Sequence, residues 1–422
     1  MHRKHRIPLI MTAENIGNCL WNKCLRIVLC LLIFVCVFDP ADKLFHLKVP
    51  LFVLSCVLCI LDRLESDQRM NVPMGMLIYL FLFIFVIPLT SMAYCFFTGG
   101  DSGSFDGYQY FKSYLFLTAL FVMYVSKIDL VKPATIILFL LAIVTLLAYV
   151  LSLVDSSLFY SLGIALGNYG IVGVGIREYG GQQFPEIYFH TSQMLVFPLG
   201  YLSKAVIDSK GSKKMLYGIL LAINIVAMFF GGTRNNMFVS ILTPVFVIWW
   251  YSKRKMLVLS VVLPLLSLLI ISQFDIIQNM FATDEASNAI KVNFTKEYME
   301  LFSDPRVLLF GQGLGSSFIT SFRGAVTLTE LTYFEFIRRF GLVLSSVIFI
   351  MLFYPISRLW SKRYLACHYV FISYMFYLIM SFSNPFIVSS SGMLILSIVL
   401  YKTFVPPTIP EIEGECPVLA VT

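Results

Sequence analysis

The feature that most constrains this chain is its succession of long apolar runs separated by short basic loops. The hydrocarbon core of a bilayer demands about 17 to 25 apolar residues of a helix, and such runs recur throughout the 422 residues. They predict about twelve spans, near 24–39, 44–61, 75–97, 110–126, 133–154, 187–206, 214–231, 235–250, 256–272, 339–357, 364–382 and 386–401. Charged residues make up only 13% of the chain, against about 25% in a soluble domain. Mean hydropathy is +0.83. The fold class that follows is an all-α polytopic membrane protein. Residues 1–405 read as a single integral-membrane domain and 406–422 as a disordered cytoplasmic tail without periodicity.

The basic residues orient it. With a cytoplasmic N-terminus, 20 of the 31 Lys and Arg fall on the inner side, and every short inner loop is basic. Both termini are then cytoplasmic. The net charge of +7 therefore gives no sign of nucleic-acid binding. The basic start MHRKHR precedes an apolar run without a small-residue cleavage site, so that run reads as a signal anchor. Most of the nine cysteines lie in spans or on the inner side, and none lies in a long outer loop. Neither a disulfide framework nor a zinc site is expected.

Two outer loops are long. The first, 155–186, is rich in glycine and weakly polar, and reads as a segment dipping back toward the membrane. The second, 273–338, places Ile290, Phe294, Tyr298 and Phe302 four apart, the pattern of an amphipathic helix on the membrane surface. It then runs into the main polar interruption of the sequence, Phe302 to Leu342, FSDPRVLLFGQGLGSSFITSFRGAVTLTELTYFEFIRRFGL. Here Arg306, Arg323, Glu330, Arg338 and Arg339 crowd together although charge is scarce elsewhere. The spans carry almost no ionisable groups. That argues for chemistry at the outer interface over ion-coupled transport.

Each candidate has a bland alternative. Glu330 is either a general base or the acidic end of a capping box opened by Thr327. A helix starting near Thr327 puts Glu330, Phe334 and Arg338 on one face and pairs Glu335 with Arg339 on another. That leaves Arg338 as the less satisfied arginine and the better ligand group. Both arginines could instead snorkel to headgroups. Arg234, in the tight GGTRNN turn, suits a bidentate grip on phosphate or serves as an interfacial anchor. Either Thr233 or Asn235 can cap the helix that follows. Arg177, in the first loop, is a similar candidate. Gly311, Gly313 and Gly315 form a hinge or a backbone anion cradle. His190 is a packing residue or, less simply, a base.

Three stretches resemble the O-antigen polymerase (Wzy-type) and O-antigen ligase superfamily of bacterial envelopes. They are GGTRNNMF, LFGQGLG after a long loop, and ELTYFEFIRRFGL leading into a span. The resemblance covers roughly 170–345. It implies a GT-C-like architecture in the bacterial inner membrane. It also implies an inverting, metal-independent glycosyltransferase with no cofactor, fed by polyprenyl-diphosphate-linked oligosaccharides. Arg234, Arg338, Arg177, Arg306 and Arg323 would bind the diphosphate and substrate, with Arg339 in support, and Glu330 would serve the attacking hydroxyl. Membrane lipids would surround it, and a chain-length regulator and a flippase are candidate protein partners. Ligases of this superfamily carry His eleven residues before the glycine of the third motif. Here that position is Glu330, which favours the polymerase over the ligase, while the sparsely charged spans argue against a lipid-linked-oligosaccharide flippase or other transporter.

Overall fold

The computed structural model describes residues 20–66, 71–98, 104–179, 182–231, 233–272, 286–321 and 323–405, with 274 and 278. The expected tail 406–422, the basic start and part of the 273–285 segment lie outside them. The chain is about 80% helical. Among the described residues, five helices are long and apolar enough to cross a membrane: α1 (Leu20–Phe38), α3 (Met74–Phe97), α6 (Val131–Val154), α9 (Gly211–Phe230) and α14 (Thr332–Leu359). The others are α2 (Lys48–Ser66), α4 (Ser104–Leu115), α5 (Ala119–Ser126), α7 (Ser156–Asn168), α8 (Val196–Asp208), α10 (Arg234–Tyr251) and α11 (Lys255–Ser272). They are followed by α12 (Ala286–Leu301), α13 (Pro305–Phe310), α15 (His368–Ser381) and α16 (Ser390–Phe404).

The core sits around the last two helices. Along α16 every residue from Ser391 to Tyr401 is buried, and α15 is buried over most of its length. These are the helices that are apolar all round, as a helix must be when protein surrounds it. α16 packs on α1, α5, α14 and α15, while α15 packs on α8 and α10. Small residues permit the closest approach: a Cβ on Gly200 of α8 would lie 2.0 Å from the Ser373 hydroxyl of α15. The outward faces of α1, α3, α6 and α9 carry exposed Leu, Ile, Val and Phe, as lipid-facing surfaces do.

Residues 155–186, expected from the sequence to dip back toward the membrane, form regular structure. They fold as α7, capped by the Asp155 carboxylate on the Leu158 amide at 3.0 Å, and an antiparallel hairpin of β1 (Val172–Tyr179) and β2 (Gln182–Phe189). Paired strands satisfy the backbone hydrogen bonds of this glycine-rich stretch. The span expected at 187–206 is shortened accordingly, because residues up to Phe189 belong to β2. In the second loop the four-residue spacing does form a helix, α12. Its apolar face is covered by protein, however: Phe294 and Tyr298 cluster with Phe318 and Leu331, with Phe334 against them. A second small hairpin joins β3 (Phe318–Thr320) and β4 (Gly324–Val326). The spacing Cys56-x-x-Cys59 falls within α2, and both cysteines are free thiols. Among the described residues no three His, Cys, Asp or Glu gather as metal ligands.

The three glycines of 311–315 and Gly341 form one interlocked device. α14 is broken at Gly341, which has φ 66° and ψ 170°. The break frees the carbonyls of Arg338 and Arg339, and the amides of Gln312 and Gly313 donate to them at 2.6 and 3.1 Å. Two of the loop's amides are thus spent on the helix break, and those of Gly311 and Leu314 go to Val307 and Ser91, so these four are not available to cradle an anion. A Cβ on Gly313 (φ 89°) would lie 2.4 Å from Cys95, and one on Gly341 would lie 2.2 Å from the Leu309 carbonyl oxygen. Gly313→Ala and Gly341→Ala should each destabilise the protein by about 1–3 kcal/mol, from left-handed strain plus overpacking. Thermal unfolding in detergent measures this. Gly218→Ala in α9, with open space around it, should be neutral or slightly stabilising.

Candidate functional site

At the ends of several helices lies a polar cavity of about 550 Å³. Its wall is assembled from far-apart stretches: the end of β2, the first turn of α10, α12, the turn before α14, and the 383–389 connection. Arg234 is the first residue of α10. The Thr233 hydroxyl caps that helix by accepting from the Asn236 amide at 3.2 Å, which holds Arg234 against the cavity. Its guanidinium is largely buried and donates to Asn288 Oδ1 of α12 at 2.7 Å. Lys291, one turn further along α12, lines the same space. Two carboxylates face it as well, Glu186 from β2 and Glu330 from the turn before α14.

Glu330 does not cap a helix. α14 starts at Thr332, after Leu331 in the cap position, so Glu330 precedes it. Its Oε1 instead accepts from Arg323 Nη2 at 3.2 Å, in a pair with 37% and 42% side-chain exposure. A pair so exposed contributes at most about 1 kcal/mol, so it holds Glu330 loosely. Arg323 also lies over the Phe294 ring, 5.7 Å from its centroid.

The remaining wall is rich in hydrogen-bonding groups. The Tyr188 hydroxyl accepts from the amides of Asn384 and, at 3.5 Å, Gln193. Burial raises its pKa, the amide donors offsetting part of that, so it stays protonated. Asn235 donates to the Ser383 hydroxyl at 2.5 Å, and Asn236 to Ser192 at 3.0 Å. Burial holds His190 below the ordinary histidine pKa, which keeps its imidazole neutral near pH 7.

The structure thus brings Arg234, Glu330 and His190 together on one cavity, keeps Arg323 beside Glu330, and places Arg306, Arg338 and Arg339 away from it. Arg338 is fully buried beneath the site and is the best satisfied arginine, contrary to the helical-face reading. It donates to Glu335 Oε2 through Nε (3.1 Å) and Nη2 (2.9 Å), to Gln312, to the Ser316 carbonyl and hydroxyl, and to the Thr327 carbonyl. Arg339 pairs with the same Glu335 oxygen at 2.9 Å, as its spacing predicts, and lies 4.0 Å over the Tyr110 ring. Neither arginine snorkels: both point into protein. Arg306 is exposed on α13. It borders a different, more open cavity of about 710 Å³ with Glu297, Glu300 and Asp304. Arg177 stands on β1 opposite Phe184, and its side chain lies outside the described residues.

Sequence reasoning missed Glu186, Tyr188 and Lys291. Lys291 carried a usable signal, being a base in a segment that the sequence reading puts on the outer side, against the usual bias. Tyr188 is one of 22 tyrosines and carried none. Fold and site together define a helical integral-membrane protein with a charged, hydroxyl- and amide-lined cavity at the ends of its helices. No family model, curated protein or solved structure matches this chain.

Two outcomes follow from the site's electrostatics. Arg338→Ala and Arg339→Ala should destabilise the fold to a similar extent, about 3–5 kcal/mol each, because either leaves buried partners uncompensated. Unfolding midpoints in detergent report it. His190 has a folded-state pKa below its unfolded value of about 6.5. Unfolding therefore takes up protons as pH falls below that value, and stability declines on acidification. His190→Gln should flatten the loss of melting temperature between pH 7 and pH 5.

Proposed function

We propose that this chain is a surface-polysaccharide polymerase of the O-antigen type. It would join polyprenyl-diphosphate-linked oligosaccharide repeat units on the outer face of a bacterial inner membrane. The observation that carries the reading is that Arg234 and Glu330, 96 positions apart in sequence, line one polar cavity together with Lys291. A diphosphate leaving group departs with its negative charge. Without a metal, fixed cations must stabilise that charge in the transition state. Arg234, immobilised at a helix start and by Asn288, offers a preorganised guanidinium fork. Lys291 adds a second positive charge on the same wall.

In this mechanism Glu330 accepts the proton of the attacking sugar hydroxyl as that oxygen bonds to the anomeric carbon. The bond from that carbon to the diphosphate breaks on the opposite face, giving inversion. The lipid diphosphate leaves toward Arg234 and Lys291. Glu330 suits the role because its ion pair to Arg323 is exposed and weak. The tyrosine, asparagine and glutamine groups around the cavity match the hydroxyls of a sugar, and the exposed apolar helix faces match a polyprenyl tail. The twelve-span, GT-C-like arrangement with both termini cytoplasmic belongs to this proposal.

A deletion strain tests it by its surface glycan. Loss of a polymerase leaves single repeat units capped onto the carrier glycolipid, whereas loss of a ligase or flippase leaves none. Glu330→Ala and Arg234→Ala should each abolish long chains while protein level and membrane insertion stay normal. Retention of wild-type chain length by Glu330→Ala would remove the proposed base.

A further inference from the structure

The turn that carries Glu330 has no regular backbone pairing, yet its side chains alternate as in a strand. Thr329 and Leu331 are buried, while Leu328 and Glu330 line the cavity. What fixes this alternation is one carboxylate below it. Glu335 Oε1 accepts from the Thr329 amide at 2.9 Å and from the Tyr298 hydroxyl at 2.8 Å. Its Oε2 holds Arg338 and Arg339, each at 2.9 Å. Both guanidinium groups in turn donate to the Thr327 carbonyl, Arg338 at 3.0 Å. The inward backbone groups at 327 and 329 are therefore tied to one ion cluster, and 328 and 330 must face outward. Because the side-chain period is two, a slip of one residue would turn Glu330 into the protein.

We propose that Glu335, with Arg338 and Arg339, is a positioning cluster that sets the register of the 327–331 turn and so aims Glu330 into the cavity. Glu335 lines neither cavity and touches no substrate, so it is a positioning residue and not a catalytic one. The inference about Glu330's role rests on the polymerase reading; the inference about register does not. Charge suits this task because each guanidinium ties the carboxylate and a backbone carbonyl at once, which a packed apolar side chain cannot do.

The test uses the full chain purified in detergent. Cysteine is introduced singly as Leu328→Cys, Thr329→Cys or Glu330→Cys. A hydrophilic maleimide is then added, and labelling at that peptide is followed by mass spectrometry. In the otherwise native protein, positions 328 and 330 should label at least tenfold faster than 329. In the Glu335→Gln background the three rates should converge to within about threefold. Should Glu335→Gln fail to fold, Arg339→Lys replaces it, keeping the charge while losing the fork to Glu335 and Thr327. A tenfold alternation that persists in a folded variant overturns the proposal.

Chain elongation gives the second readout. Glu335→Gln should lower kcat by ten- to a hundredfold with KM for the lipid-linked donor unchanged, and Glu335→Asp should recover part of it. A raised KM with kcat intact would also overturn the positioning role. Labelling needs no activity, so a wrong choice of reaction and a wrong account of the register give different results.

Discussion

The polar end of this structure depends on a carboxylate shared by two guanidinium groups out of reach of water. Glu335 is 3% exposed, Arg338 0% and Arg339 4%. Taking one negative and two positive charges from water is expensive, and attraction in a low dielectric repays it only when every remaining donor is met. Here they are met by Gln312, Ser316, Thr327 and Tyr110, drawn from three separate stretches of chain. The cluster therefore works as a knot. The glycine loop, the small hairpin's flank and the turn before α14 cannot move independently without stranding a charge. Gly341 is part of the same arrangement. The helix must break just after Arg339 for Gln312 and Gly313 to reach the freed carbonyls and bring the Gln312 side chain to Arg338.

That knot also settles an oddity of charge distribution. Bases next to a span on the outer side run against the usual bias, which counts charges in short loops exposed to lipid and water. Arg338 and Arg339 face neither. Of the other bases in the 273–339 segment, Lys291 borders the cavity and Lys296, Arg306 and Arg323 are not buried.

Much of this was legible in the sequence, for reasons of length and periodicity. The apolar runs mark helices because bilayer thickness and helical rise are fixed, and the four-residue rhythm of Ile290, Phe294 and Tyr298 marks α12. The same rhythm could not say that Phe318 and Leu331, rather than lipid, would cover that face. Of the groups that the resemblance assigns to one site, Arg234 and Glu330 do line one cavity, whereas Arg338 is buried away from it. The ranking of Arg338 above Arg339 failed because only the four-residue pairing of Glu335 was weighed, whereas Glu335 also reaches Arg338 at three-residue spacing. The acceptors from residues 312–316 come from a loop whose approach no local pattern encodes.

The cavity and the knot divide between them two demands that conflict in a single residue. A group that takes a proton must be loosely held and near water, whereas a group that fixes geometry must be tightly held and dry. Glu330 and Glu335 lie five residues apart and meet these demands separately, the one in an exposed pair with Arg323, the other buried among five nitrogen and oxygen donors. Sequence distance keeps them on one short segment, while the alternation of the 327–331 turn keeps them on opposite sides of it. A carboxylate cannot be rigid and reactive at once through its own contacts, so rigidity is supplied by a neighbour through the backbone between them.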